Sequence, residues 1–438
     1  MVTVAEPGLQ HPTAPTTLEE AGLKPDLIMQ LALKALHFSG ELTGTELARS
    51  LGLNFSVIEP VIEGLVTQRH CEIAGGSMIG RSSYRFRITD GGRTRAALFL
   101  ENNHYVGCAP VPLEQYYQYM RQFRQAVPDR ATREQVRAAF SHLVINDRVL
   151  DQLGPAINAG HSMFVYGPPG NGKTVISQAI RKLLGGTLAI PHALEVEGSI
   201  IRLFDPVNHE PLAGAEEESS LDIGQPLDRR WVVCKRPMVM VGGELTLSSL
   251  ELSYNPTSGF YGAPVQTVAN GGVLVIDDFG RQSCSPRDLL NRWIVPLESR
   301  VDFLTLQSGQ KFELPFMALV VFATNIKPAE LVDEAFLRRI HYKIFAESPT
   351  LAEFFRIFEK VCAERDIPFD RGAIEHLLQT HYRPRQVQLR GCHPRDLVEQ
   401  IISLADYLER PRRLEPELLD AACASYFVDD RELPPSYA

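Results

Sequence analysis

Apolar residues recur at helical spacing through the first hundred positions. One stripe has the i, i+3, i+4, i+7, i+8 spacing of a helix that packs one face on a core, namely Ile28, Leu31, Ala32, Ala35 and Leu36. Thr43 and Glu46 have the spacing of a capping box, and a second stripe runs from Ile58 to Val66. Alternating residues in Cys71–Ala74 and Tyr84–Thr89, around glycines, then predict a hairpin.

The pattern changes at about position 131. Apolar strand-like runs at Met163–Tyr166, Val273–Ile276 and Leu319–Ala323 alternate with helical patterns, which is typical of a parallel sheet with helices on both faces. Two further segments, Trp231–Gly243 and Val301–Leu314, are each predicted to form a hairpin. From about position 350 the pattern is helical, with predicted helices at Leu351–Glu364, Ala373–Thr380, Arg395–Glu409 and Pro416–Ala424.

Composition excludes several classes of protein. The chain has 438 residues, 44% of them hydrophobic and 22% charged, with a net charge of −9. These values exclude a disordered chain, and no apolar run approaches the roughly 20 residues of a membrane-spanning helix. Neither a secretory signal nor a membrane partner is expected. The seven cysteines are scattered without a C-x-x-C pair, which predicts reduced thiols in the cytoplasm and no zinc site. Histidines such as His192, His209 and His381 lack metal-ligand spacing and are expected on ordinary surfaces.

The segment Gly167–Thr174 fits the pattern G-x-x-x-x-G-K-[ST] without a mismatch. An apolar strand precedes it and an amphipathic helix follows, which is the arrangement a phosphate-binding loop requires. Lys173 is predicted to reach the β- and γ-phosphates, and the Thr174 hydroxyl to bind Mg²⁺. The predicted nucleotide-binding residues are Gly167, Pro168, Pro169, Gly170, Asn171, Gly172, Lys173, Thr174 and Val175.

A second buried strand ends in two carboxylates, Asp277 and Asp278. Acidic residues at the carboxyl end of a parallel strand lie at the sheet edge where ligands bind. Asp277 is therefore the predicted second Mg²⁺ ligand, and Asp278 the group that activates the attacking water.

Together these motifs resemble the AAA+ ATPase family, and within it the MoxR-like ATPases, over about Ala131–Asp429. The resemblance implies ATP and Mg²⁺ as ligands, a parallel-sheet P-loop NTPase core and an all-helical lid. It also implies a homo-oligomeric ring, most simply a hexamer, and roles for further residues. Asn325 corresponds to sensor 1, Arg395 to sensor 2, and either Arg339, which we favour, or Arg338 to the arginine finger. Leu143 and Val144 lie where the family often places adenine contacts.

Three helices and a hairpin near the N-terminus resemble a winged helix-turn-helix domain. The resulting organisation is a flexible tail (1–20), a winged helix-turn-helix domain (21–105), a linker helix (106–130), the ATPase core (131–347) and the helical lid (348–438).

Two features leave the function open. Asp278 stands where the family usually has glutamate, and a carboxylate one methylene shorter predicts slower hydrolysis. Phe260-Tyr261-Gly262 resembles a substrate-gripping pore loop, but we favour aromatic residues packed in a core or at a subunit contact. The main hypothesis is an ATPase that remodels an unidentified protein partner, with Trp231–Gly243 projecting toward that partner.

One alternative is a DNA-associated ATPase that uses the five arginines between Arg81 and Arg95. The other is a nucleotide-binding switch that hardly hydrolyses.

Overall fold

The computed structural model describes residues 11–75, 80–126, 130–212 and 226–427, which fall into two compact units. The first unit comprises the described residues within 1–129, 184–275 and 282–320, and the second those within 130–183, 276–281 and 321–438. In the described part of the chain, no helix combines the length and the apolar character needed to cross a membrane.

The first unit begins with helices around a small antiparallel sheet. The helices are Leu18–Ala21, Pro25–Ser39, Gly44–Ser50, Phe55–Thr67 and Asp90–Asn102, with a short 3₁₀ turn at Arg81–Ser83. The sheet has the strand order Glu41–Thr43, Arg85–Ile88, Cys71–Gly75. The predicted capping box is present, because the Thr43 hydroxyl accepts the Glu46 amide and the Glu46 carboxylate accepts the Thr43 amide.

Residues 11–20 of the predicted tail make hydrogen bonds to distant parts of the chain, while residues 1–10 lie outside the described part. The Ala14 amide donates to the carbonyl of Pro226 at 2.8 Å, and the Asn54 side chain donates to the carbonyl of Pro15 at 2.9 Å. These bonds to residues distant in sequence order the segment, although it has no periodicity of its own.

The predicted linker segment contains the helix Leu113–Ala126, which packs within the first unit. Val111–Pro112 is a strand that pairs in parallel with Ala193–Val196, and the helix Leu113–Ala126 buries one face in a hydrophobic core. That face consists of Tyr116, Tyr119, Met120 and Phe123. The helix is therefore an integral part of the first unit.

The rest of the first unit contains three further sheets or hairpins. A five-stranded sheet has the order Ser253–Asn255, Phe260–Gly262, Ser199–Arg202, Ala193–Val196, Val111–Pro112. The predicted hairpin near position 301 is confirmed as Val301–Thr305 paired with Lys311–Pro315. Helical segments lie at Leu247–Leu250, Val265–Val268, Pro286–Arg292 and Ile294–Ser299.

The predicted Trp231–Gly243 hairpin is wrong. Trp231–Lys235 pairs with Thr187–Pro191, whereas Met238–Val241 is an edge strand of another sheet. The turn between them is bound elsewhere: Arg236 Nε donates to the carbonyl of Gly271 at 2.7 Å, and Pro237 accepts the Val273 amide at 2.9 Å. Two apolar runs beside a proline fit a hairpin locally, but these long-range bonds separate them.

The predicted α/β architecture is confirmed. A five-stranded parallel sheet has the order Met238–Val241, Val273–Ile276, Leu319–Thr324, Ser162–Tyr166, Tyr342–Phe345. Helices of the second unit in this part of the chain are Arg133–Ala139, Asp147–Ala159, Lys173–Leu183, Pro328–Leu331 and Glu334–Leu337.

The end of the described chain, residues 351–427, is helical and has its own hydrophobic core. Its helices are Leu351–Glu364, Arg371–Leu377, Arg383–Arg385, His393–Tyr407 and Pro416–Tyr426, with a π-helical turn at Leu378–Tyr382. We refer to residues 351–427 as the helical C-terminal region.

Candidate functional site

The phosphate-loop sequence, residues 167–174, lies between the buried strand Ser162–Tyr166 and the helix that begins at Lys173. Gly167, Gly170 and Gly172 have φ of +148°, +79° and +73°, a region that side chains with a Cβ rarely adopt. At Gly167 a Cβ would also lie 2.4 Å from the carbonyl oxygen of Ala346. The glycines of the motif are thus required by the backbone path, which turns the loop around the start of a helix as phosphate binding needs.

Lys173 is buried at the base of this loop, 7% exposed. Its Nζ donates to the carbonyl oxygens of Gly167 at 3.0 Å and Pro168 at 2.9 Å. Burial lowers the pKa of Lys173, and the charges of Asp278 and Asp277 oppose that shift. The ammonium is therefore held inside the loop by neutral acceptors and lies in the field of both carboxylates.

The predicted magnesium ligands meet directly. Thr174 Oγ1 donates to Asp277 Oδ2 at 2.8 Å, although about one hundred residues separate them in sequence. The other oxygen of Asp277 accepts the Asp278 amide at 3.0 Å, which fixes the orientation of the carboxylate. A hydroxyl and a carboxylate oxygen at this separation are hard ligands of the type that Mg²⁺ prefers.

Asp278 and Asn325 also lie together. Asn325 Nδ2 donates to Asp278 Oδ1 at 3.1 Å, while the buried Oδ1 of Asn325 has no hydrogen-bond donor among the described residues. Asp278 has φ of +46°, a left-handed conformation unusual for a residue other than glycine, asparagine or aspartate. The two side chains present one shared polar edge.

Backbone bonds hold the segments that carry these side chains. The Phe279 amide donates to the Ala323 carbonyl at 2.7 Å, Thr324 Oγ1 donates to the Phe279 carbonyl at 2.7 Å, and the Gly167 amide donates to the Thr324 carbonyl at 3.3 Å. Beneath them, Phe164, Phe279 and Phe322 pack with ring centroids 5.0 to 5.9 Å apart. This apolar base supports the backbone segments that carry the acidic and amide groups.

These groups line one cavity of about 640 Å³ within the second unit. Its lining includes Lys173, Thr174, Asp277, Asp278, Asn325 and Arg395, together with Leu143 and Val144 at the predicted adenine position. A volume of this size suits a nucleotide-sized ligand. The structure thus brings these residues together from five separate stretches of sequence.

Sequence reasoning missed several lining residues: Gln178, Ile357, Lys360, Val361, Glu364 and Cys392. Lys360 Nζ donates to the carbonyl of Ser141 at 2.8 Å, which links the helix Leu351–Glu364 to the segment before Leu143. The spacing of Ile357 and Val361 is consistent with an ordinary helix face, so no sequence signal distinguishes them.

The helical C-terminal region contacts the phosphate loop directly. The Cys392 amide donates to the carbonyl of Gly170 at 2.8 Å, and the Gly391 amide donates to Asn171 Oδ1 at 3.2 Å. Asn171 Nδ2 in turn donates to Ser348 Oγ at 3.2 Å. The side chain of Asn171 therefore serves as a bridge from the loop to the chain that follows the sheet.

Arg395 lines the cavity and is oriented by its neighbours. Its Nε and Nη2 donate to Asp396 Oδ1 at 3.2 and 3.1 Å, and Tyr426 donates to Asp396 Oδ2 at 2.8 Å. The Asp396 carboxylate raises the pKa of Arg395 further above its ordinary value, so the guanidinium is permanently charged.

Neither Arg338 nor Arg339 is among the residues that line the cavity. Arg338 follows the helix Glu334–Leu337, and the Arg339 guanidinium lies over the Phe336 ring at 5.6 Å. The structure therefore places both candidate fingers outside the lining of this cavity.

In two segments of the first unit, the structure does not favour the binding role that the sequence suggested. Phe260–Gly262 is a strand, and Tyr261 is buried, with its hydroxyl accepting the Gln307 amide at 3.0 Å, so the core interpretation is confirmed. Three of the five arginines of the predicted wing form ion pairs: Arg81 with Glu59 and Glu63, and Arg85 and Arg87 with Glu41.

The expectation that the scattered histidines lie on ordinary surfaces is wrong for two of them. His209 is buried, accepts the Asp205 amide at Nδ1 and contacts the Val268 carbonyl through Nε2. His381 is buried and lies 2.6 Å from Asp420 Oδ1. Long-range partners, which sequence spacing does not reveal, compensate for the burial of each ring.

Comparisons with known proteins extend over different parts of the chain. A family model described as a domain of unknown function (DUF8689) matches residues 350–425. A search of curated proteins finds no match to this sequence.

Among solved structures, a mutant of Thermotoga maritima RuvB is similar over 66% of this chain and 73% of its own, at 12% identity and a TM-score of 0.39. The Thermotoga maritima RuvB Holliday junction branch migration motor is similar over 66% and 72%, at 14% identity and a TM-score of 0.36. NtrX from Brucella abortus is similar over 69% of this chain and 54% of its own, at 13% identity and a TM-score of 0.35.

Proposed function

We propose that this chain is a Mg²⁺- and ATP-dependent ATPase of the AAA+ class that remodels a protein partner. The observation that carries the proposal is the 2.8 Å hydrogen bond between Thr174 Oγ1 and Asp277 Oδ2, directly beneath the phosphate loop. When bound, Mg²⁺ neutralises negative charge on the β- and γ-phosphate oxygens. Thr174 and Asp277 are the residues that hold it.

The other residues of the proposed site have separate roles in ATP hydrolysis. The loop amides and Lys173 bind the phosphates, and for this the Lys173 ammonium exchanges its bonds to the Gly167 and Pro168 carbonyls for phosphate oxygens. Asp278 orients and polarises the attacking water. The Oδ1 of Asn325, which has no donor among the described residues, accepts a hydrogen bond from that water.

Two positive charges complete the proposed site. Arg395, on the helical C-terminal region, contacts the γ-phosphate, because it already lines the cavity with its charge oriented by Asp396. Arg339, with Arg338 as the alternative, acts on the nucleotide of a neighbouring copy, since neither lines the cavity of its own chain. This role for the finger implies an oligomeric ring, most simply a hexamer.

The ion pairs of arginines in the predicted winged-helix domain favour a protein partner over DNA. Arg85 and Arg87 share the Glu41 carboxylate, which both arginines hold at a pKa below its ordinary value. DNA-binding affinity depends on cations that are available to neutralise phosphates. Arginines already paired with glutamate contribute less to such binding, so we assign this surface to protein contacts in a MoxR-like, chaperone-type activity.

The experiment is ATP turnover combined with size measurement, with and without nucleotide, on wild type and Lys173→Ala. Lys182→Ala is the matched control, because Lys182 lies on the same helix and is exposed. Wild type and the control are expected to bind ATP in a Mg²⁺-dependent manner, hydrolyse it and assemble, whereas Lys173→Ala loses turnover. A wild type without Mg²⁺-dependent affinity for adenine nucleotides would contradict the proposal.

Three further measurements separate the alternatives. If hydrolysis is slow because Asp278 is short, Asp278→Glu raises turnover, by as much as ~10²-fold for a gain of about 1 Å in reach. Salt-sensitive DNA binding that disappears in the Arg85→Ala, Arg87→Ala double variant would favour a DNA-associated ATPase. Stimulation of turnover by a protein partner, unaffected by DNA, would favour remodelling.

A further inference from the structure

Two histidines and an aspartate converge in the helical C-terminal region, apart from the nucleotide-cavity lining. His376 Nε2 lies 2.9 Å and His381 Nε2 2.6 Å from the same oxygen, Oδ1 of Asp420. One potential ligand atom from each of the three residues lies within 4.8 Å of the other two. We propose that these residues form a binding site for a divalent transition-metal ion, with Zn²⁺ as the ion the site takes.

The backbone makes this convergence possible. In an α-helix, residues five apart point ~140° away from each other, so His376 and His381 would face different directions. The chain instead forms a π-helical turn at Leu378–Tyr382, whose wider i→i+5 bonding rotates His381 toward the side that carries His376. Single π-turns of this kind occur frequently at functional sites.

The three donor atoms and their exposure fit a small ion that has one coordination position open to water. Two imidazole nitrogens and a carboxylate oxygen are ligands that Zn²⁺ binds at about 2.0–2.2 Å in tetrahedral geometry. The His381 side chain is 10% exposed, whereas the His376 and Asp420 side chains are 35% and 44% exposed. Water can therefore reach the cluster from one side and supply the fourth ligand.

The hydrogen-bond partners of Nδ1 differ between His376 and His381. Zinc at Nε2 requires the proton to lie on Nδ1, and at His376 the Thr380 hydroxyl, 3.4 Å from Nδ1, can accept it. At His381, Nδ1 lies 2.9 Å from Arg385 Nη1, which is only a donor. The exposed Arg385 side chain must therefore turn outward on metal binding.

The different Nδ1 partners of the two histidines predict how substitutions should change zinc affinity. Removal of Arg385 is expected to strengthen zinc binding, because it removes both a competing donor and a nearby positive charge. Removal of a ligand is expected to weaken it. A chance surface contact of an exposed histidine would show neither dependence.

The test is a titration of the tag-free full chain with Zn²⁺ alone, without nucleotide, in competition with a chromophoric chelator. Wild type is expected to bind one Zn²⁺ per chain, with affinity at least about tenfold lower in His376→Gln and in Asp420→Asn. Arg385→Ala is expected to bind several-fold more tightly. His104→Gln is the matched control, because His104 is an exposed histidine outside the cluster, and its affinity is expected to equal wild type.

Cobalt provides an independent measurement. Co²⁺ in the site is expected to give the visible absorption of tetrahedral coordination, lost in Asp420→Asn. Thermal unfolding without metal verifies that each variant is folded. The proposal is overturned if wild type binds no stoichiometric Zn²⁺, or if the ligand variants and His104→Gln bind it equally. Because nucleotide is absent, neither result depends on the proposed ATPase activity.

Discussion

Gly170→Ala tests the contact between the phosphate loop and the helical C-terminal region. Gly170 has φ of +79°, and a Cβ there would lie 2.5 Å from Cys392 Sγ. The left-handed conformation costs alanine about 1 kcal/mol, and overpacking typically costs ~1–3 kcal/mol. We therefore expect Gly170→Ala to lower the free energy of unfolding of the second unit by about 2–4 kcal/mol.

Gly172 provides a control within the same loop. Its φ is +73°, but no atom lies within 4 Å of the position that a Cβ would take. Gly172→Ala should therefore show only the conformational cost of about 1 kcal/mol. The difference between the two variants isolates the steric cost at Gly170.

The steric part should be reversible by a change on the other side of the contact. Removing the sulfur of Cys392 leaves its Cβ as the nearest atom of that residue, 3.5 Å from the added methyl group. In a double-mutant cycle, Cys392→Ala should recover about 1–3 kcal/mol of the Gly170→Ala loss.

Nucleotide-free urea unfolding, followed by circular dichroism, measures these differences. Fluorescence is unsuitable, because both tryptophans, Trp231 and Trp293, belong to the first unit. Equal losses for Gly170→Ala and Gly172→Ala, or no recovery with Cys392→Ala, would refute the proposed contact.

Three further predictions concern the second unit. Thr174→Val should reduce the Mg²⁺-dependent part of ATP affinity at least about tenfold in an equilibrium binding assay, with affinity in chelator unchanged, since only the metal ligand is lost. Asn171→Ala should destabilise the second unit by about 1–2 kcal/mol in urea unfolding, because it loses its bridge to Gly391. Burial, followed by the charge of Arg390, lowers the pKa of His393 to about 4, below its ordinary 6.5. The unfolded chain then binds the extra proton between these values, so wild type should lose up to about 3 kcal/mol as pH falls from 6.5 to 4. The difference from His393→Gln measures this loss, and parallel pH profiles would contradict it.

Local patterns in the sequence were sufficient to predict many of the helices and strands and the residues of the phosphate loop. The glycines and Lys173 could be identified because neighbours in sequence form the loop, and its backbone path requires glycine wherever φ is positive. The capping box at Thr43 and the hairpin at Val301–Thr305 are similarly local, since each depends on residues a few positions apart.

Family resemblance, rather than periodicity, suggested which distant residues belong together. Asp277 could be predicted from its place at the end of a buried strand, but nothing in the spacing of Asn325 and Arg395 implies that they share a cavity with Thr174. They do so because parallel strands end at one edge of the sheet, and because the Cys392 amide bonds to the loop.

Only the tertiary structure decided where the chain departs from its local pattern. Trp231–Lys235 and Met238–Val241 fit a hairpin, yet they join different sheets because the turn between them is bound to Gly271 and Val273. His381 has no motif around it, yet a π-turn directs it toward Asp420. Sequence periodicity reports the environment of a residue averaged over one helix or strand. The partner across a fold depends on backbone geometry and long-range hydrogen bonds, which are satisfied only once the whole chain has packed.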